Sequence, residues 1–138
     1  MKNLDLTPIK VAIADDHHLF RTGVRTSLSG HKDIQMVAEA ENGMQLLNLL
    51  KHIRPDVILL DIQMPIMDGL EATKIIRSQL KNQPYIVALT ANAMVEDREI
   101  CLLAGMDNYI SKPIKIEELI GVLKLVFEKK SSGEQVKV

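Results

Sequence analysis

Apolar residues fall along the chain in two alternating patterns. Ile9 to Ala14, Val57 to Leu60 and Tyr85 to Leu89 are short runs in which nearly every side chain is apolar, as suits strands buried on both faces of a parallel sheet. Ile34 to Ala40 mixes apolar and polar positions, which predicts a strand near a sheet edge. Asp107 to Ile110 supplies a short fifth strand. Between and after these runs the apolar spacing becomes helical. Phe20, Val24 and Leu28 form one stripe, and Leu46, Leu47, Leu49, Leu50 and Ile53 a second. Leu70, Ala72, Ile75, Ile76 and Leu80 form a third, Met94 to Ala104 a fourth helix, and Ile116, Leu119, Ile120, Leu123, Val126 and Phe127 a fifth. Gly30, Pro55 and Gly105 stand where helices stop. Five alternations of strand and helix predict an α/β fold, a parallel sheet with helices on both faces. The folded unit is set at residues 9–128, with flexible tails at 1–8 and in the polar stretch 129–138.

The 138 residues, 46% apolar and 25% charged, fit one domain with one sizeable core. A net charge of −1 carries no signature of nucleic-acid binding by this chain. The single cysteine, Cys101, excludes an internal disulfide, fits a reducing compartment, and lies in an apolar helical stretch as a small core residue. No signal-peptide pattern or membrane-length apolar run is present, so a cytoplasmic, membrane-free location is expected.

Candidate chemistry sits where the strands end. The Val57–Leu60 run closes on Asp61, a charge that is costly there unless a counter-charge or metal compensates it. The first strand ends in Asp15-Asp16, the fourth in Thr90 and the fifth in Ser111-Lys112-Pro113. In open α/β sheets, ligands bind beyond the carboxyl ends of the strands. Three carboxylates gathered there repel one another unless a cation joins them. A hard divalent ion with oxygen ligands, magnesium, fits best. His17-His18 lacks further ligands at a spacing that would suggest zinc. With a metal present, Asp61 is a candidate nucleophile towards phosphorus, Lys112 a counter-charge for phosphoryl oxygens and Thr90 a donor to one of them.

Taken singly, each residue also has a plainer reading. Asp16 would cap the following helix, Asp68 would be a turn or cap residue, and Thr90 would close a strand. Lys112 would be a solvated charge, and His17 and His18 exposed residues at a helix start. The argument for a site rests on their convergence at the ends of separate strands.

Taken together, Asp15-Asp16, Leu59-Leu60-Asp61-Ile62-Gln63-Met64-Pro65-Ile66-Met67-Asp68-Gly69, Ala88-Leu89-Thr90-Ala91 and Ser111-Lys112-Pro113 closely resemble the receiver domains of two-component response regulators, over about Ile9 to Glu128. The resemblance implies a (βα)5 flavodoxin-like three-layer sandwich, with a five-stranded parallel sheet in the order 2-1-3-4-5. It implies that Asp61 accepts a phosphoryl group from a sensor histidine kinase or a histidine phosphotransfer protein. Mg2+ would be held by Asp16, Asp61 and the backbone carbonyl of Gln63, with Asp15 in support. Lys112 would bridge to the phosphoryl group through a loop with a cis peptide before Pro113. Thr90 and Tyr109 would act as the switch that alters the face made by the fourth helix, fifth strand and fifth helix, a face also suited to homodimerisation. Gln63 and Asn92 occupy positions that tune hydrolysis in this family. The first half resembles receivers joined to LuxR/NarL-type transcription factors, and the second half resembles receivers of hybrid kinases and stand-alone regulators. Too few residues follow the fifth helix for a DNA-binding module, so a single-domain regulator and a piece of a longer protein both stand.

A magnesium phosphatase of the haloacid-dehalogenase kind also uses a strand-end Asp. Such an enzyme needs a second Asp two residues on, where this chain has Gln63, which cannot transfer a proton. The expectation is therefore a phosphoacceptor and not an enzyme that turns over outside substrates.

Overall fold

The structure, a computed structural model, describes residues 7–91 and 94–132. Strands and helices alternate as β1 (Ile9–Ala14), α1 (His18–Leu28), β2 (Ile34–Ala40), α2 (Gly43–Leu49), β3 (Val57–Asp61), α3 (Gly69–Gln79), β4 (Tyr85–Thr90), α4 (Val95–Ala104), β5 (Asn108–Ser111) and α5 (Ile116–Ser132). All strand pairings are parallel and the sheet order is β2-β1-β3-β4-β5, as expected from the resemblance. β2 lies at the edge, and its mixed pattern leaves all but Ala40 at least partly exposed. The central strands β3 and β4 are buried at every position.

The period-2 alternation of the strands sorts their side chains into two cores. Ile9, Val11, Ile13, Val57, Leu59, Val87 and Leu89 pack with Val24 and Leu28 of α1 and Leu119, Leu123 and Val126 of α5. The alternate residues Ala12, Ala14, Ile58, Leu60, Ile86 and Ala88 pack with Leu46 of α2, Ala72 and Ile76 of α3, and Cys101 of α4. These are the three layers of the fold. Each large apolar side chain buried this way contributes about 1.5–3 kcal/mol. Cys101 is fully buried, as its surroundings predict.

Several boundaries differ from the sequence expectation. α2 ends at Leu49, although Ile53 still bonds back to the Leu49 carbonyl at 3.0–3.1 Å with its neighbour His52 and packs on the core. The intervening turn is tightened by Lys51 bonding to Asn48, ahead of Pro55, which disfavours helix in the residue before it. Asp107 precedes β5 instead of joining it, because its carboxylate is bound elsewhere, accepting from the Ile86 amide. α5 runs to Ser132, beyond the boundary at 128. The rest of the expected tails, residues 1–6 and 133–138, and the hydrolysis-tuning position Asn92 lie outside the described residues. Among the described residues no helix is long and apolar enough to cross a membrane.

Candidate functional site

The chain leaves β1 to pair β2 on one side and β3 on the other. That reversal opens a crevice at the carboxyl ends of β1 and β3, the usual ligand position in an open α/β sheet. Asp15 directly follows β1, and Asp61 is the last residue of β3. Both are buried, at 0% and 5% exposure. Two charges at such depth need partners.

Lys112, carried just past β5, supplies one. Its Nζ lies 2.7 Å from Asp15 Oδ2 and 3.2 Å from Asp61 Oδ2, and 4.5 Å from the centre of the Phe20 ring. The peptide from Lys112 to Pro113 is cis. Burial raises the Asp61 carboxyl above its usual pKa and the neighbouring Asp15 charge adds to this, outweighing the Gln63 amide and Lys112, which pull the other way. Burial alone would lower the Lys112 ammonium, but its contacts with Asp15 and Asp61 win and hold it above the ordinary value. Arg21 supports the arrangement from α1, donating through Nη1 to the Asp15 carbonyl at 2.6 Å and through Nε to Glu39 at 3.2 Å. Arg21 is buried, which a charged residue in the first turns of a helix does not signal in sequence.

The remaining oxygens face the other way. Asp15 Oδ1 accepts from the His17 amide at 2.8 Å, an Asx turn that folds the chain back after β1. Asp61 Oδ1 accepts from the Gln63 amide at 3.0 Å. Asp16 is exposed and does not cap α1, whose N-cap is His17 without a side-chain bond. The plainer reading does hold for Asp68, which caps α3 by accepting from Glu71 at 2.9 Å. Asp15, Asp16, His17 and Asp61 each offer a ligand atom, all within 4.8 Å of one another. This is a donor set, rich in carboxylate oxygen and burdened by repulsion, that fits a hard divalent cation. His17 is exposed at the start of α1, as the plainer reading has it, and the turn after β1 sets its Nδ1 3.1 Å from Asp15 Oδ1 and 3.3 Å from Asp16 Oδ1. His18, by contrast, turns towards Arg21.

Thr90 ends β4, 2% exposed, and its Oγ1 has no hydrogen-bond partner among the described residues. Its carbonyl accepts from the Lys112 amide at 2.7 Å, which holds the β4 and β5 ends together. A buried hydroxyl without a partner is costly, and a phosphoryl oxygen arriving nearby would satisfy it. Tyr109, on β5, is half-buried with the Arg98 guanidinium 4.9 Å from its ring centre. Val87 and Met106 are core, and Met94 is 55% exposed.

The loop after β3 carries one strained residue. Ile66 has φ of 70°, the one positive value outside glycine among the described residues, with its side chain 80% exposed. A left-handed conformation costs an L-residue about 1–2 kcal/mol, and a β-branched one avoids it. Ile66→Gly removes that strain and little packing. After the entropic cost of glycine, the expected gain is about 1 kcal/mol in unfolding free energy, read by urea titration.

Comparison with known proteins gives a consistent result. The family model described as the response regulator receiver domain matches residues 11–124. The response regulator protein VraR of Staphylococcus aureus is 36% identical over 130 residues, 93% of this chain and 59% of that protein. The chain thus spans less than two thirds of the length of the curated relatives it matches. The REC domain of AraT, a response regulator from Geobacillus stearothermophilus, aligns with a TM-score of 0.79 and 34% identity over 90% of this chain and 96% of that one. A chain of the co-crystal structure of the Saccharomyces cerevisiae histidine phosphotransfer signaling protein Ypd1 with the receiver domain of its downstream response regulator Ssk1 aligns with a TM-score of 0.81 and 28% identity, over 91% and 93%.

Proposed function

The chain belongs to the receiver-domain family of response regulators, and from that premise we propose that Asp61 is the residue that accepts the phosphoryl group. Receiver domains serve two-component phosphorelay signalling, and the comparisons lend no support to a phosphatase. The observation that carries the assignment is Lys112 Nζ at 3.2 Å from Asp61, beside a Thr90 hydroxyl that is buried without a partner. An Asp61 oxygen attacks phosphorus of a phosphohistidine on a sensor kinase or a histidine phosphotransfer protein. The P–N bond breaks as the O–P bond forms, and the departing imidazole keeps the electron pair and takes up a proton. Lys112 then follows the phosphoryl oxygens and Thr90 donates to one of them, relieving its unmet hydrogen bond.

Asp16, Asp61 and the Gln63 carbonyl, supported by Asp15, would hold Mg2+. When bound, the ion neutralises charge on the carboxylates and the transferred group. Movement of Thr90 draws Tyr109 with it and changes the face of α4, β5 and α5, biasing an existing equilibrium. α4 exposes Val95, Leu102 and Leu103 and α5 exposes Leu125, apolar side chains suited to an output partner or a second copy. The proposed setting is cytoplasmic, with nucleic-acid binding left to any output part of a longer LuxR-type protein. Outside substrates are not turned over, since Gln63 cannot act as a general acid or base.

Incubation with acetyl phosphate and Mg2+ should give a retarded band on a phosphate-affinity gel. Asp61→Asn and chelation of the metal should each abolish it. A band of full intensity in Asp61→Asn removes the assignment.

A further inference from the structure

The Lys112 ammonium has partners of two kinds. Two are carboxylate oxygens, Asp15 Oδ2 at 2.7 Å and Asp61 Oδ2 at 3.2 Å. The third is the Phe20 ring of α1, whose centre lies 4.5 Å from Nζ. A cation within about 6 Å of an aromatic centre is attracted by the negative face of the ring.

The ring asks something different of the lysine. A carboxylate oxygen fixes the direction of an N–H bond, whereas a ring face attracts the charge and leaves its direction free. In phosphoryl transfer as described above, Lys112 exchanges carboxylate oxygens for phosphoryl oxygens. The ring can hold the ammonium near Asp61 through that exchange without competing for any of its three N–H donors.

The surroundings add to this. Phe20 and Lys112 both line an open cavity of about 570 Å3 between α1 and the loop after β5, together with Gly23, Pro113 and Ile114. A Cβ on Gly23 would meet nothing within 4 Å, so the cavity is roomy beside α1. The Lys112 side chain is nevertheless only 21% exposed. Phe20 is partly buried against the core beneath the cavity, and its ring contributes to that shielding. Such a contact strengthens as the cation loses water.

We propose that Phe20 is a positioning residue for phosphoryl transfer, holding the Lys112 ammonium beside Asp61 through the face of its ring. The inference rests on the role given to Lys112 above and adds the residue that sets its place.

Phenylalanine analogues with one, two and three ring fluorines, placed at position 20 by nonsense suppression, weaken the negative face of the ring in steps at nearly constant shape. The rate of phosphorylation by acetyl phosphate at saturating Mg2+ should fall with each fluorine, by about fivefold in all, near the middle of what such contacts contribute. Phe20→Leu, which keeps an apolar side chain, should be as slow as the trifluoro ring. The same series at Phe127 of α5 should leave the rate unchanged. Rates that ignore the number of fluorines at position 20 would overturn the inference, even with Phe20→Leu slow, because packing alone would then explain the ring. The Lys112 reading fails separately: Lys112→Ala phosphorylated as fast as the wild type removes that reading and this inference with it.

Discussion

Arg77→Leu is expected to cost the fold about 3–5 kcal/mol, the penalty for stripping one partner from a buried ion pair. The Arg77 guanidinium donates to the Gly105 carbonyl at 2.7 Å, to Gln83 and the Pro84 carbonyl at 2.8 Å, and to Asp107 at 2.7 Å. The Arg77 and Asp107 side chains are 14% and 5% exposed. One side chain of α3 thus ties together the end of α4, the start of β4 and the start of β5. Without it, the Asp107 carboxylate keeps the Ile86 amide at 2.8 Å and loses its counter-charge. Domains of this kind have unfolding free energies of about 5–15 kcal/mol, so the variant should unfold at much lower urea or not fold. Arg77→Lys should recover only a part, since an ammonium cannot reproduce the planar fork. A loss below about 1 kcal/mol in Arg77→Leu would show that the network is exchanged for water at little cost.

Gly69→Ala should damage the fold and the site together. A Cβ on Gly69 would stand 2.3 Å from the Asp61 carbonyl oxygen and 3.0 Å from its carbonyl carbon. These are backbone atoms that cannot rotate aside, so β3 or the start of α3 must move. The expected cost is about 3 kcal/mol, the upper end for forced overpacking. Because the displaced peptide is Asp61's own, phosphorylation by acetyl phosphate should slow by about a hundredfold, the usual scale for a misplacement of about 1 Å. Gly43→Ala is the control. Its Cβ would meet the Met67 carbonyl at 2.7 Å, a comparable clash away from Asp61. Loss of stability in both variants with slowed phosphorylation in Gly69→Ala alone is the predicted outcome. Equal rates in the two would separate Gly69 from the placement of Asp61.

Much of this architecture was legible along the chain because it is written in local patterns. The all-apolar runs of β1, β3 and β4 and the helical stripes of α1 and α5 each report burial without knowledge of their partners. The punctual placement of Asp61 after Leu60, and of Lys112 before Pro113, marks strand ends, and strand ends in a parallel sheet share one side. The strand order itself came from the family resemblance, since alternation alone does not fix which neighbour a strand takes. What escaped was long-range or conformational. Arg77 looks like any solvated helix charge until Gly105 and Asp107 are brought to it across 28 and 30 residues. Arg21 of α1 is buried against Glu39 of β2, a partner 18 residues away. His17 reaches the acidic cluster only through an Asx turn, and the positive φ of Ile66 contradicts its residue type. Thr73, absent from the expected inner face of α3, is fully buried because its hydroxyl donates to the Gly69 carbonyl at 2.7 Å within the helix.

The central claim, that Asp61 is where the phosphoryl group is received, is tested most directly by locating it chemically. The chain treated with acetyl phosphate and Mg2+ should be reduced with borohydride, which converts an aspartyl phosphate to homoserine, and then digested and sequenced by mass spectrometry. Homoserine at position 61, absent when acetyl phosphate is omitted, is the predicted result. Homoserine at Asp15, Asp16 or Asp68, with Asp61 unchanged, would contradict it.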